Sequence, residues 1–162
     1  VGLPSAEKNY DRWDIIRPLL AREDITPGRD EILATVHNFR EMLRIRRSSY
    51  LFRLRSASDI MGRVSFLNTG RGQIPGLIVM RIADEEAEMR PLDPANKSVV
   101  VLFNATPKSI TFSHVDWKGT TFELHPVQQT SHDEVVKQSA FDAEDGSFTV
   151  PARTTAVFLE RQ

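Results

Sequence analysis

A chain of 162 residues, 40% hydrophobic and 27% charged, has room for one domain with a proper core, or for one domain and an appendage. Its net charge of -1 supplies no basic face for nucleic acid or an anionic membrane, and no apolar run approaches the ~18 residues a membrane span needs. The absence of cysteine excludes disulfides, thiol catalysis and cysteine-based zinc sites.

The chain starts Val1-Gly2-Leu3-Pro4, with neither an initiator methionine nor a signal-peptide pattern, and this start reads as the cut end of something longer. Trp13, Ile15, Ile16, Leu19 and Leu20 then form the apolar face of a short helix. Pro18 falls within it and is expected to break or kink it. Thr26 as N-cap and Pro27 at the first helical position introduce the best helix of the sequence. Asp30 and Glu31 sit near its start and Arg44, Arg46 and Arg47 near its end, as the helix dipole favours. Ile32, Val36, Phe39 and Leu43 recur at helical spacing and predict a buried stripe, with Glu31, His37, Asn38, Arg40 and Glu41 on a solvated face. Tyr50 to Leu54 alternates as a short extended piece, and Ser58 is expected to cap one helical turn over Asp59 to Met61. The change of character near Ser56 predicts two parts: a helical arm over 1–55 and a β domain over 56–162.

Within the second part, Val64 to Leu67 and Leu77 to Ala83 read as strands. Asp84 to Asn96 reads as a long polar loop. Ser98 to Ala105 contains four consecutive apolar residues, Val99 to Leu102, followed by Phe103, and then stops at turn residues. Such a run predicts a strand buried on both faces, the central strand of the core. Ser109 to Ser113, Thr121 to His125, a hairpin formed by Ala140 to Asp142 and Ser147 to Val150, and Thr154 to Leu159 complete seven or so short strands. The predicted fold is therefore mainly β: an antiparallel β-sandwich preceded by a helical arm.

Motifs for chemistry are sparse. His37, His114, His125 and His132 follow no metal-ligand spacing and read as surface or half-buried residues. Asp84, Glu85, Glu86 and Glu88, and again Asp142, Glu144 and Asp145, fall in predicted turns, whereas a glycosidase pair must be opposed across the scissile bond. The Asp142 to Gly146 turn does not match the spacing of an EF-hand calcium loop. Neither a G-x-S-x-G elbow nor a glycine-rich phosphate loop is present. Arg40, Arg44, Arg46, Arg47, Arg53 and Arg55 are expected to form intramolecular ion pairs, with Glu31 and Glu41 nearby, in preference to a phosphate patch. Trp13, Tyr10 and Tyr50 are aromatic, but Trp117, in the loop from His114 to Gly119, is the one candidate glucan contact. The stronger expectation for Trp117 is a hydrophobic plug at the end of the sandwich.

Several stretches together resemble the C-terminal end of pullulanase-type debranching enzymes, the α-1,6-glucosidases of bacteria and the limit dextrinases of plants. They are V-G-L-P (1–4), W-D-I-I-R-P-L-L-A (13–21), I-R-R-S-S-Y-L-F-R-L (45–54), F-L-N-T-G (66–70), Q-I-P-G-L-I-V-M (73–80), V-V-L-F-N-A-T-P (100–107), F-E-L-H-P-V-Q (122–128) and F-T-V-P-A-R-T-T-A-V-F (148–158). The resemblance runs the whole length in the expected order. It implies an upstream (α/β)8 barrel of the same polypeptide that carries catalysis, with residues 1–55 as the barrel's tail and 56–162 as the C-terminal sandwich. A whole barrel needs ~250 residues, and no position here corresponds to the family's catalytic carboxylates. The resemblance thus implies no catalytic, cofactor-binding or metal residue in this stretch, calcium being a matter for the parent enzyme. Contact with α-glucan would come through that parent. Trp117 stands where relatives are expected to have a smaller apolar residue, so a role for it is not inherited. Two rival readings remain: an accessory glucan-binding module, and an oligomerisation domain contacting through the apolar faces of residues 13–43.

Overall fold

The structure, a computed structural model, describes residues 2–84 and 90–162. It divides into two compact units, Val1–His37 and Asn38–Gln162.

The first unit is helical: α1 (Ala6–Asn9), a 3-10 turn at Tyr10–Arg12, α2 (Trp13–Leu20), a second 3-10 turn at Glu23–Ile25, and the start of α3 (Arg29–Ser48). Pro18 lies inside α2, which ends two residues later. Trp13 is the local anchor. Its indole N–H donates to the Pro4 carbonyl (3.0 Å), Tyr10 lies 5.3 Å away, and the Arg17 guanidinium sits 5.3 Å from the ring centre. Neither α1 nor α2 buries a residue, and Tyr10, Ile15, Leu19, Leu20 and Ile25 are exposed.

The second unit contains the rest of α3, a 3-10 helix at Tyr50–Arg53, α4 (Ala57–Arg63) and eight strands. These are β1 (Val64–Phe66), β2 (Leu77–Ala83), β3 (Asn96–Asn104), β4 (Ile110–Ser113), β5 (Phe122–Leu124), β6 (Ala140–Asp142), β7 (Ser147–Val150) and β8 (Thr154–Arg161), with α5 (Pro126–Gln129) after β5. They form two antiparallel sheets, ordered β1-β2-β3-β8-β5 and β4-β7-β6. The chain is thus mainly β, an antiparallel sandwich that follows a helical arm.

β3 lies at the centre of the larger sheet, and its side chains alternate between two cores. Val100 and Leu102 point between the sheets, with Val79, Phe122, Phe148, Val150 and Phe158. Val99 and Val101 point to the opposite face, with Ile45, Leu51, Ile82, Val157 and Leu159. All four β3 side chains are buried. Burying each is worth ~1.5 to 3 kcal/mol, so the unbroken apolar run serves both faces.

Phe148 is the hub of the inter-sheet core, with Trp117 4.9 Å away edge-on and Phe158 at 4.7 Å. Where β5 ends, the buried Gln128 of α5 replaces a strand. Its side-chain N–H donates to Thr155 O and its carbonyl accepts from Val157 N, both at 2.8 Å, which satisfies β8 backbone groups that would otherwise be unpaired.

Several local expectations change. The helix starts at Arg29, after Pro27, and the extended piece expected over Tyr50–Leu54 is the 3-10 helix, in which Ser49 accepts the Leu51 N–H and Leu51 is fully buried. Ser56, not Ser58, caps the following helix, which runs for seven residues. On α3, Glu41, expected on the solvated face, is buried together with Ile45, while Ile32, Phe39 and Leu43 are exposed. The two strips are neighbours on one helix, and long-range partners decide which turns inward: Ile45 joins the sheet's outer core, and Glu41 accepts from Ser131.

Gly146 closes the β6–β7 turn with φ of 62°, and a Cβ there would lie 2.7 Å from Lys118 N and 2.8 Å from His114 O. Gly70 also has positive φ, 82°, but open space around it. Gly70→Ala should therefore cost only the backbone strain, about 1–2 kcal/mol. Gly146→Ala should cost clearly more in urea denaturation, because backbone atoms must also move.

Candidate functional site

Trp117 ends a short 3-10 turn, Val115–Trp117, that follows β4. His114 starts the turn: its carbonyl accepts from Trp117 N (3.1 Å) and its Nδ1 from Asp116 N (3.4 Å). Gly119 N then donates to Ala143 O (2.8 Å), which ties this loop to the β6–β7 turn. The result places the indole in the end of the inter-sheet core, 4% exposed, against Phe112, Phe122 and Phe148. Beside it is a cavity of about 380 Å³ whose rim carries Arg81, Lys97, His114, Asp116, Thr120 and Glu160. Groups of both signs there can bond hydroxyls, but the tryptophan ring is committed to the core, whereas sugar stacking needs an open ring face.

The other aromatic candidates lie apart in the chain. Trp13 is half-buried in the first unit, and Tyr50 is exposed in the second with the Arg53 guanidinium 4.6 Å from its ring centre. Among the described residues, no ion pair involves Arg40, Arg44, Arg46, Arg47, Arg53 or Arg55, contrary to expectation. Glu41, their expected partner, has turned inward.

The carboxylates sort differently from the sequence reading. Asp142 is exposed, and its Oδ1 accepts from Glu144 N (2.8 Å) and Asp145 N (3.3 Å), as an acidic turn residue does. Glu85, Glu86 and Glu88 lie outside the described residues. Asp84, expected in a solvated turn, is buried in an ion pair with the equally buried Arg63. Asp84 also accepts from Leu92 N (2.8 Å) and Asp93 N (2.7 Å), and Arg63 Nη2 donates to Arg90 O (2.8 Å). The pair thus gathers α4, the end of β2 and the segment before β3. Asp93 is buried beside it. Burial pushes its carboxyl up, but hydrogen bonds from Ser49, Asn96 and the backbone outweigh this and hold it below the usual carboxylate range.

His125, expected at the surface or half-buried, is 3% exposed. Its Nδ1 accepts from Val127 N (3.2 Å), which leaves the proton on Nε2 to donate to Ser48 Oγ (3.0 Å). Ser48 in turn donates to Ile45 O (2.8 Å). This relay joins the end of α3 to the turn that starts α5. Burial, helped by the positive charge of Arg161, lowers the His125 pKa from 6.5 to about 4. His114 is partly exposed near Asp116 (3.6 Å). Among the described residues, no group of three or more His, Asp or Glu side chains is placed to hold a metal ion. The Asp84–Arg63, Glu41–Ser131 and His125–Ser48 contacts span long sequence separations, so periodicity could not reveal them. The only local hint was His125-Pro126, a polar residue before a proline that suits a helix start.

The fold defines a β-sandwich module that follows a helical arm. The particular family comes from comparison with known proteins. The family model "Alpha-1,6-glucosidases, pullulanase-type, C-terminal" matches residues 1–161, and the chain belongs to this family. Pullulanase 1 of Arabidopsis thaliana, a chloroplastic protein, is 47% identical over 163 residues, covering 99% of this chain and 17% of the relative. Klebsiella pneumoniae pullulanase is 34% identical over 158 residues, covering 97% of this chain and 14% of the relative. The crystal structure of PulA from Klebsiella oxytoca superposes with a TM-score of 0.84 at 32% identity, over 99% of this chain and 15% of that one. The chain therefore spans 14–17% of the length of these curated relatives.

Two measurements test the buried polar contacts. His125 is neutral in the folded chain, while the unfolded chain takes up a proton near pH 6.5, so this site's contribution is complete above that pH and declines as pH falls toward about 4. Urea midpoints measured from pH 7 to pH 4 should fall more for the native chain than for His125→Gln. Arg63→Met should cost about 3–5 kcal/mol in chemical denaturation, because it leaves the Asp84 carboxylate buried without its counter-charge.

Proposed function

We propose that this chain is the C-terminal portion of a starch- or pullulan-debranching enzyme that hydrolyses α-1,6-glucosidic bonds, that it supplies none of the reacting groups, and that it stabilises the catalytic barrel. The observation that carries this reading is the family match over residues 1–161, to relatives several times longer that bear the name pullulanase. In this reading residues 1–55 are the tail of an (α/β)8 barrel and 56–162 its C-terminal sandwich domain. The first unit supports it physically. Its apolar side chains at Ile15, Leu19, Leu20 and Ile25 are exposed, and such side chains gain ~1.5 to 3 kcal/mol each when a neighbouring surface covers them. α-Glucan would then be met by the parent enzyme and no metal would be required of this stretch.

The purified chain should release no reducing ends from pullulan, whereas the full-length protein should. Turnover by the chain itself, lost on replacing one of its carboxylates, would refute the assignment. The accessory-module reading is checked by titrating maltooligosaccharides into the same chain and following backbone NMR shifts. No saturable shift is expected at Arg81, Lys97 or His114, and a submillimolar response there would favour a glucan-binding role instead.

A further inference from the structure

Tyr50 and two members of the arginine set, Arg53 and Arg55, line one cavity of about 280 Å³, whose wall also includes Asp59 of α4. The Arg53 guanidinium lies 4.6 Å from the centre of the Tyr50 ring, and Tyr50 is 57% exposed. Arg53 Nε is buried and has no hydrogen-bond partner, an arrangement that costs free energy until an acceptor arrives. The one carboxylate among the lining residues is already engaged. Asp59 accepts from Ser56 Oγ and from its own backbone contact to that cap, and its Oδ1 lies 3.7 Å from Arg63 Nε. Among the described residues, no carboxylate comes within ion-pair reach of Arg53 or Arg55. Two positive side chains therefore line this cavity without a counter-charge.

We infer that this cavity is a binding site for a sugar phosphate, a pyranose that carries a phosphate monoester. A phosphate presents several strong acceptor oxygens and close to two negative charges. The planar fork of arginine matches that geometry with paired N–H donors. A phosphate oxygen would also give Arg53 Nε the acceptor it lacks. Tyr50 supplies the second half of the site: its exposed ring offers an apolar face to the carbons of a pyranose and a hydroxyl to its polar groups. Packing against that ring holds the Arg53 fork beside it, so phosphate and sugar are met side by side. An uncharged glucan would leave both guanidinium groups without a counter-charge, so the phosphate is the feature recognised. The site stands on the geometry of this chain alone, whereas glucose as the sugar rests on the functional reading above.

The test titrates glucose 6-phosphate, inorganic phosphate and glucose into this chain and into the full-length protein, with NMR of the tyrosine ring and arginine Nε–H groups in the chain and calorimetry in both. Glucose 6-phosphate should give saturable shifts at Tyr50, Arg53 and Arg55 and bind several-fold more tightly than inorganic phosphate, while glucose should give no shift. Arg55→Met, at an exposed position that leaves the fold intact, should weaken glucose 6-phosphate about tenfold. Tyr50→Ala should weaken it several-fold and leave inorganic phosphate nearly unchanged. A maltotriose carrying the same phosphate separates two sources of this chemistry: tighter binding than glucose 6-phosphate assigns the site to a phosphorylated glucan, equal binding to a free sugar phosphate, and either supports the inference. It is overturned if glucose 6-phosphate does not saturate, if inorganic phosphate binds as tightly, or if adenosine monophosphate binds more tightly. Binding by the chain but not by the full-length protein would overturn it too. Activity of the full-length sample on pullulan is read separately: an active protein that does not bind glucose 6-phosphate refutes this inference alone, and an inactive one refutes the functional reading.

Discussion

The two-sided burial of β3 is the constraint on which the second unit depends. A strand that places Val100 and Leu102 on one side and Val99 and Val101 on the other needs an apolar layer on both. The first layer is the three-stranded sheet, centred on Phe148 and Val150 of β7, and the second is the end of α3 with Leu51. Its neighbours in the sheet, β2 and β8, are antiparallel to it and in register along most of their length, so their alternation is fixed by the same requirement. A single-residue slip would exchange the valines between cores of different shape.

Apolar burial alone would not fix where the helical elements sit, because a hydrophobic contact is nondirectional. Polar contacts supply the positions. Glu41 accepts from Ser131, Ser48 meets His125, Ser49 meets Asp93, and Arg63 meets Asp84. Each links the segment before β1 to a later part of the chain, and each would leave a buried polar group unsatisfied if the segment moved. The cost of such a loss is ~1 to 3 kcal/mol per group, more for a charge. Exposure of Phe39 and Leu43 beside buried Glu41 follows: the polar contacts and Ile45 together select the strip of α3 that faces the sheet.

This also explains what was legible in the sequence. The strands from Val64 to Leu159 could be read because period, β-branching and turn residues are local signals, and the central role of Val99 to Leu102 followed from an uninterrupted apolar run. The orientation of α3 could not be read, since Ile32-Val36-Phe39-Leu43 is the stronger apolar strip by pattern and only partners some ninety residues away decide otherwise. Asp84 and His125 were misplaced for the same reason: their burial depends on Arg63 and Ser48, which no spacing rule connects to them. Tyr50 to Arg53 alternated like a strand because Leu51 is buried, but Ser49 caps it as a helical turn. For Trp117 the loop position and the plug at the end of the sandwich could be read, but not the close approach of the β6–β7 turn to its backbone, which depends on Gly146.

The chemistry of the buried acids bears on the proposed role. A carboxyl that acts as general acid must keep its proton near neutral pH, which calls for an apolar site with few donors. Asp93 has the opposite environment: Ser49, Asn96 and backbone N–H groups favour its charged form and hold its pKa low. Asp84 has a guanidinium and two backbone donors, and Glu41 has the Ser131 hydroxyl and the His132 N–H. Their oxygens are thus directed at the protein's own donors, and a substrate could engage them only by breaking the contacts that seat α3 and the segment before β3. Acids used in this way accord with the proposal that this stretch supplies none of the reacting groups.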